Sequence, residues 1–379
     1  MQSPKKKVSL FGGGSVVKYL TAENIDYLAI GAAVLGAGGG GDPYLGKLMA
    51  KQAILEKGKI PLLDPEDIPD DELVIPSAMM GAPAVMLEKL PNGGEPEAAF
   101  RAVESFFGRK AYAVLPIEAG GINSCIPVYT AAKLGLPLVD ADGMGRAFPE
   151  IQMVTYTIGG VSASPMVCCD EKGNKVVIEA INNNWVETFA RTVTVAMGLS
   201  SMIGLYVMEA KMVKRWGVKG IMSLAIEIGK RIIASHDKKT SPVDSILELT
   251  KGYRLFEGKV TDVQRDLTTG FVRGTARFEG IEAFKGASFE LHFQNENLVG
   301  LLDGKPCAMV PDLITILDRE TGSPITTEHL KYGQRTVVIG MPCAEIWRSD
   351  KGLELVGPRY FKYDYDYVPI EELVERSAS

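Results

Sequence analysis

Hydrophobic and polar positions follow two different patterns along this chain, and the pattern changes near residue 250. Before that point, apolar residues either recur at helical spacing, as in residues 22–35, or form short continuous runs, as in residues 73–80. Helices and strands that alternate in this way predict a layered α/β domain with a largely parallel sheet. After residue 250, short alternating segments are separated by turn residues roughly every ten positions, which predicts an all-β, barrel-like domain.

The same patterns predict individual elements and domain limits. Helices are predicted at residues 22–35, 43–56, 96–107, 124–134, 184–197, 202–216, 222–235 and 242–251. Strands are predicted at residues 73–80, 112–117, 136–139, 152–158 and 175–180. We therefore expect a flexible N-terminus at residues 1–16, an α/β domain at 17–250 and a barrel-like domain at 251–379, whose tail packs back onto the body.

Composition narrows the class of protein. Of 379 residues, 46% are hydrophobic and 23% are charged, and the net charge of −6 gives no basic face for nucleic acid. The longest apolar run falls far short of the roughly 20 residues that a membrane span needs. The cysteines are odd in number and form no CxxC pair, which favours free thiols in a reducing compartment. We expect a cytoplasmic protein that acts on a small molecule.

Polar residues gather where predicted strands end. The segment EAGGIN at 118–123 follows the predicted strand 112–117. Ligand sites of open α/β sheets lie at the carboxyl ends of the strands, so Glu118 is a candidate catalytic carboxylate and Asn123 a candidate substrate-binding residue. The alternative is that either side chain only caps the next helix.

A second acidic segment, DADGMGRAFPE at 140–150, follows the predicted strand 136–139. Asp140 and Asp142 are two positions apart and can point the same way in extended chain. Close carboxylates repel, so one of them should have a raised pKa or share a cation. Arg146 could neutralise them or clamp a substrate carboxylate, and Glu150 is assigned with it to substrate binding. The alternative is a structural Asp–Arg network.

A run of glycines precedes the predicted helix 43–56. It consists of Gly38, Gly39, Gly40 and Gly41. Backbone N–H groups at a helix N-terminus can bind a carboxylate or an oxyanion, so these glycines are candidate substrate-binding residues; a close helix–helix crossing would explain them equally well. A phosphate-binding P-loop is disfavoured, because Leu48 stands where a Ser or Thr must meet Mg²⁺. A dinucleotide fold would need a strand where residues 27–35 favour a helix.

Metal and thiol chemistry have weaker signals. His236, His292 and His329 show no ligand spacing, whereas the acidic loops are compatible with a divalent metal ion; the sequence does not decide whether a cofactor is present. The pair Cys168–Cys169 could bind a soft metal or supply a nucleophile, but adjacent cysteines are more often inert packing.

Six segments together resemble one known family, the S-methyl thiohydantoin desulfurase domain family, formerly a domain of unknown function associated with hydantoinases and oxoprolinases. The segments are 31–46 (GAAVLGAGGGGDPYLG), 116–124 (PIEAGGINS), 140–150 (DADGMGRAFPE), 295–298 (NENL), 311–340 and 357–369 (GPRYFKYDYDYVP). The segments follow one another in the right order, and the resemblance spans nearly the whole chain.

The resemblance implies an α/β domain followed by a β-barrel-like domain. It also implies a hydrolase that converts S-methyl thiohydantoin to hydantoin and methanethiol, in the catabolism of methylated ergothioneine. We expect Asp142 or Glu118 to be the base that activates water, with Asp140 as its partner. The enzymatic alternative is attack by Cys168 or Cys125.

The family resemblance leaves two other functions open. One is an amidohydrolase of hydantoin or lactam rings, and the other is a non-catalytic partner subunit of a hydantoinase or oxoprolinase. A homo-oligomer is also expected.

Overall fold

The computed structural model describes residues 18–81, 85, 89–268 and 271–378. The predicted flexible segment 1–16 lies outside these residues.

The helices are named in chain order. They are α1 (Ala22–Leu35), α2 (Tyr44–Lys57), α3 (Glu95–Phe107), α4 (Gly121–Leu134), α5 (Thr155–Ile158), α6 (Asn183–Ala196), α7 (Ala210–Trp216), α8 (Ile221–Lys238), α9 (Pro242–Thr250), α10 (Asp350–Val356) and α11 (Ile370–Ala378). Short 3-10 turns occur at Pro65–Asp67, Glu282–Phe284 and Glu345–Arg348.

The strands fall into an N-terminal and a C-terminal group. The first group is β1 (Tyr19–Leu20), β2 (Ile60–Leu63), β3 (Leu73–Gly81), β4 (Ala113–Leu115), β5 (Leu138–Val139), β6 (Ala141–Asp142), β7 (Met166–Cys169), β8 (Lys175–Ile178), β9 (Ser200–Gly204), β10 (Met208–Glu209) and β11 (Val218–Lys219). The second group is β12 (Tyr253–Thr268), β13 (Phe271–Gly280), β14 (Ser288–Gln294), β15 (Glu296–Leu302), β16 (Lys305–Met309), β17 (Leu313–Asp318), β18 (Pro324–Ile325) and β19 (Arg335–Met341).

The N-terminal sheet is mixed, with a parallel centre. Its order is β1-β2-β5-β4-β3-β9-β7-β8, with β10 also paired to β3. The pairs β2–β5, β5–β4 and β4–β3 are parallel, and the strands on either side are antiparallel. Strand β3 is apolar along most of its length and buried on both faces, as expected for a strand covered by helices on both sides. The predicted α/β class and parallel sheet are confirmed.

Helices cover both faces of this sheet near β3. On one face, Thr130 of α4 shares a hydrogen bond of 2.8 Å with Ser77 of β3. On the other face, Thr194 of α6 shares one of 2.8 Å with Ser201 of β9. Alternate side chains of β3 and β9 therefore point into different layers.

The C-terminal sheet is antiparallel and open. Its order is β16-β15-β14-β13-β12-β19-β17-β18, and register shifts in β12 and in the β14–β15 pair bend it. The all-β character predicted after residue 250 is present, but the sheet does not close, so the expected barrel is replaced by a curved open sheet. Its outermost strands, β16 and β18, have a partner on one side only among the described residues.

Two segments of the first part adopt structures that the pattern did not predict. Residues 152–158 were expected to form a strand, but they are a loop followed by the short helix α5. Residues 202–216 were expected to form one helix, but they contain β9, β10 and only then α7. Most of their apolar residues are buried, and in a short buried apolar run periodicity does not separate strand from helix.

Buried polar contacts join the N-terminal and C-terminal parts of the chain. The hydroxyl of Thr315, on β17, donates to the carbonyl of Val34 at 2.8 Å, and the indole of Trp347 donates to the carbonyl of Met144 at 2.7 Å. At the C-terminal end, the Ile370 amide donates to the Asp312 carboxylate at 2.8 Å, which connects the start of α11 to the residue before β17. Among the described residues, no helix is both long and apolar enough to cross a membrane.

Candidate active site

A cleft opens between the N-terminal and the C-terminal sheet. Four acidic side chains line it: Glu118, Glu150, Glu296 and Glu328. The glycines at 38–41 and a group of apolar residues from β3 and β9 complete most of its wall. Clefts that combine apolar walls with a few convergent polar groups are typical small-molecule sites.

Glu118 is buried three residues after the end of β4. Burial raises the pKa of its carboxyl to about 7, although hydrogen bonds from the Asn123 side chain and the Phe148 backbone favour the charged form. At neutral pH this group can therefore both accept and release a proton. Its place at the carboxyl end of a parallel strand is the one expected from the sequence.

Asn123 connects Glu118 to the sheet. Strand β4 pairs with β3 only as far as Pro76, so this edge of β3 lacks a neighbouring strand beyond that point. The Asn123 side chain substitutes for one: its carbonyl accepts from the Met79 amide at 2.7 Å, and its Nδ2 donates to the Met79 carbonyl at 3.0 Å. The same Nδ2 donates to Glu118 at 2.7 Å. Asn123 thus fixes the orientation of the Glu118 carboxylate.

Glu296 is the second buried carboxylate of the cleft, and it begins β15 of the C-terminal sheet. Burial and the negative charge of Glu118 raise its pKa well above the ordinary value. The cation of Arg146 and backbone N–H groups, including that of Gly40, oppose this effect. One carboxylate oxygen, Oε2, is buried without a hydrogen-bond partner among the described residues. Two buried carboxylates that share one cleft repel when both are charged. The favoured state therefore has Glu296 protonated while Glu118 is ionised.

The glycine segment is held against both sheets rather than presenting all its N–H groups to the cleft. The Gly39 amide donates to the Gly36 carbonyl, and the Gly38 carbonyl accepts from Thr327. At Gly39 a Cβ would lie 2.1 Å from the Glu296 carboxylate, and at Gly40, where φ is +70°, it would lie 2.5 Å from the Cα of Gly120. These glycines are needed because the backbone, the adjacent loop and Glu296 approach so closely.

Asp142 is buried and Asp140 is half-buried, and neither lines the cleft. Asp140 accepts hydrogen bonds from the Met222 amide at 2.9 Å and from the amide and the hydroxyl of Ser223. Its carboxylate therefore caps the N-terminus of α8. Asp142 accepts from the Gly145 amide at 2.8 Å and stabilises its own turn. Burial raises the pKa of both carboxyls. The expected pairing of these two side chains is absent, because each has separate partners.

Arg146 is fully buried between the two sheets and does not line the cleft. Its guanidinium donates to four backbone carbonyls, those of Ala147, Asn297, Pro311 and Asp312. Burial lowers its pKa to about 10. These contacts leave it no route to a substrate carboxylate. They give Arg146 a structural role, but not through the Asp–Arg network considered as the alternative, because all four acceptors are backbone carbonyls.

Arg191 is the cation that lines the cleft among the described residues. It lies on α6, pairs with Glu187 at 2.5 Å, and donates to the Pro149 carbonyl at 3.1 Å. Its guanidinium also stacks on the Phe271 ring, 4.3 Å from the centroid. The stacking and the two polar contacts hold the cation rigidly at the rim.

Glu150 lines the cleft, as its assignment to substrate binding requires. Its carboxylate accepts from the Tyr360 hydroxyl at 2.9 Å and from the Gln152 side chain. Tyr360 belongs to the C-terminal tail, so the tail supports one wall of the cleft.

Thiol and metal chemistry receive little support from the geometry. Cys125 and Cys168 are buried away from the cleft lining, and burial raises the pKa of each thiol to about 12. Within the described residues there is no group of three His, Cys, Asp or Glu side chains placed to hold a metal ion. Two carboxylates alone make a weak ligand set for a divalent cation.

The sequence did not single out Glu296, Arg191 or Glu328 as site residues. Glu296 lies in the NENL segment at 295–298, where an acidic residue at the start of an apolar run was the available signal. Arg191 sits inside an amphipathic helix and looks like any exposed basic residue there.

Fold and cleft together define an α/β protein with an appended antiparallel sheet and a buried acidic site between the two. Two family models match consecutive parts of the chain: "S-Me-THD-like, N-terminal domain" at residues 23–180 and "S-Me-THD-like, C-terminal domain" at residues 181–370. The chain belongs to the S-Me-THD-like family, which confirms the resemblance seen in the sequence. The two family models meet between residues 180 and 181. Strand β9 lies in the second match but pairs with β3, which lies in the first, so the N-terminal sheet contains strands from both matches.

One solved structure with the same fold is a crystal structure of a protein from Chromobacterium violaceum, determined as a structural genomics target. It is 23% identical, has a TM-score of 0.77, and the match covers 93% of this chain and 100% of that chain. A search of functionally curated proteins found no match. This similarity supports the fold alone.

Proposed function

We propose that this chain is a hydrolase of a five-membered hydantoin-like ring, and that it converts an S-methyl thiohydantoin to a hydantoin and methanethiol. The main observation in support is that two buried carboxylates, Glu118 and Glu296, line one cleft and both have raised pKa values. Membership of the S-Me-THD-like family is consistent with this substrate. Paired carboxylates in different protonation states are a general means of supplying a base and an acid at one pH.

The reaction needs both groups. The ring carbon that bears the S-methyl group is bonded to two ring nitrogens, one of them through a double bond. Water adds to this carbon, giving up one proton to a base while a ring nitrogen gains one from an acid. The C–S bond then breaks, sulfur leaves with the second water proton as methanethiol, and the carbon keeps the water oxygen as the new carbonyl.

Glu118 is the proposed base, because a carboxyl with a pKa of about 7 is ionised in a large fraction of molecules at neutral pH and is still basic enough to take a proton from water. Glu296 is the proposed acid, because its pKa is raised further by the charge of Glu118. Asn123 acts as a positioning residue through its bond to Glu118. A carboxylate on the substrate would meet Arg191, which takes the role that the sequence suggested for Arg146.

The test is a product assay with purified protein and an S-methyl thiohydantoin. Thiol release is followed with a thiol-reactive dye, and the ring product is identified by mass spectrometry. Glu118→Gln and Glu296→Gln should each lower kcat by about 10²–10⁴-fold. Glu354→Gln, on the exposed side of α10, is the matched control and should keep full activity.

Other products would overturn the proposal in distinguishable ways. A ring-opened product without thiol release would indicate an amidohydrolase. No turnover by the chain alone, with turnover restored by a hydantoinase-like subunit, would indicate a partner subunit. Retention of activity in both Gln variants, together with stoichiometric metal in the purified protein, would transfer water activation to a metal ion.

A further inference from the structure

We propose that the apolar face of the N-terminal sheet beside Glu118 binds the departing S-alkyl group and sets its permitted size. This face consists of Ala78 and Met80 on β3 and Ile203 and Leu205 on or just after β9, all of which line the cleft. The proposal rests on the proposed function and adds a substrate-selecting subsite to it.

The four side chains share one side of the sheet. Ala78 and Ile203 are direct partners in the antiparallel β3–β9 pair, and Met80 and Leu205 lie two positions from them, so all four project in the same direction. They belong to the main hydrophobic core. The intervening Met79 and Met202 belong instead to a separate cluster on the opposite side, with residues of α4.

This face is close to the proposed base. The Asn123 side chain bonds both to the Met79 backbone and to Glu118. A single side chain therefore bridges the Glu118 carboxylate and the backbone of β3. A ring carbon placed for attack by water at Glu118 therefore brings its substituent near the adjacent positions, Ala78 and Met80. The cleft lining also includes Glu296 and the glycine backbone, which suit the polar edges of the ring.

The chemistry of the substituent matches such a surface. A methylthio group is apolar, and burying each CH₂-sized unit is favourable; Met80 also offers a polarizable thioether. The product carbonyl oxygen would face a wall without hydrogen-bond donors, which favours release of the hydantoin and disfavours binding of an unsubstituted hydantoin in the same pose. The subsite thus selects the S-alkyl substrate over its own product.

The test compares S-methyl, S-ethyl and S-propyl thiohydantoins. Met80→Ala enlarges the subsite and should raise the kcat/KM ratio of S-propyl to S-methyl by roughly tenfold. Met202→Ala is the matched control, since it removes the same side chain from the neighbouring strand on the opposite face, and it should leave the ratio unchanged. Ala78→Val should lower the ratio, because the added methyl groups occupy the space of the longer chain.

Binding of the same three compounds to the Glu118→Gln protein, measured by calorimetry, separates this inference from the proposed function. If the wild-type protein releases thiol from none of the compounds, but the ratio of S-propyl to S-methyl affinity changes with Met80→Ala and not with Met202→Ala, the subsite stands and the proposed reaction fails. If thiol is released and neither ratio responds to Met80→Ala, or both methionine variants respond equally, the subsite is wrong. Absence of binding to all three compounds overturns both.

Discussion

The buried carboxylates of Glu118 and Glu296 face one cleft although they belong to different sheets. Glu118 follows β4 of the N-terminal sheet, and Glu296 begins β15 of the C-terminal sheet. The charge on Glu118 raises the pKa of Glu296, and the cation of Arg146 opposes this effect. The pair exists only when the two sheets are docked, so catalysis and the docking of the sheets should be lost together.

The pH dependence of the reaction should reveal Glu118. Since the base must be ionised, protonation as the pH falls removes activity, and kcat/KM should drop tenfold per pH unit below about 7. An acid limb near 4.5, the ordinary carboxyl value, would mean that a solvated group is the base. The measurement is a pH profile of thiol release.

The same carboxyl should destabilise the folded protein at high pH. Its folded pKa, about 7, exceeds the ordinary value of 4.5, so the folded state holds a proton that the unfolded state releases. The stability from this group is present below pH 4.5 and is lost as the pH rises to about 7, by up to roughly 3 kcal/mol. Urea unfolding should therefore show Glu118→Gln gaining stability relative to wild type between pH 4 and pH 8. An unchanged difference would contradict the buried, ionisable Glu118.

Replacing Asn123 by Ala should move the acid limb to higher pH. The Asn123 hydrogen bond lowers the pKa of Glu118, and its loss removes that effect. Thr130→Val is the control, because it breaks the α4–β3 contact with Ser77 without touching Glu118. If both variants lose stability and neither moves the limb, Asn123 has only a structural role.

Gly39→Ala should impair catalysis through Glu296. The new Cβ would lie 2.1 Å from the Glu296 carboxylate oxygen, so that side chain must move. We expect a loss in kcat of the same order as Glu296→Gln. Gly108→Ala is the control: its φ of +64° lies in the left-handed region, which costs alanine roughly 1–2 kcal/mol, but nothing lies within 4 Å of the added carbon. Full activity of Gly39→Ala would show that Glu296 is dispensable.

Arg146→Lys should lower stability rather than substrate affinity. Lysine keeps the charge but cannot serve four carbonyls at once. Each buried carbonyl left without a donor costs about 1–3 kcal/mol. Thermal unfolding should record the loss, with KM near the wild-type value in the remaining folded protein. An increase in KM at unchanged stability would restore the substrate-clamp assignment.

The buried thiols should resist alkylation in the native state. Because burial raises the pKa of Cys125 and Cys168 to about 12, little thiolate forms near pH 7. Iodoacetamide should leave both residues unmodified and activity intact, whereas both should react after denaturation. Rapid inactivation of the native protein, blocked by Cys125→Ser or Cys168→Ser, would revive the cysteine mechanism.

The sequence by itself determined that an α/β part precedes a β-rich part, and it located one half of the candidate site. Strand β4 and its continuation into Glu118 and Asn123 follow from a short apolar run that ends in polar residues and glycines, and the carboxyl end of a parallel strand is an edge of the sheet by geometry alone. The glycine segment was also visible, although its reason for being glycine was not.

Only the tertiary structure decided which acidic residues share the cleft. Asp140 and Asp142 follow a strand just as Glu118 does, but packing turns one toward α8 and the other into its own turn. Arg146 points between the sheets, and Glu296 arrives from a distant strand to meet Glu118. Local periodicity predicts which residues follow the end of a strand. The hydrogen-bond partner of a buried charged group depends on non-local packing, and a pattern along the sequence does not contain that information.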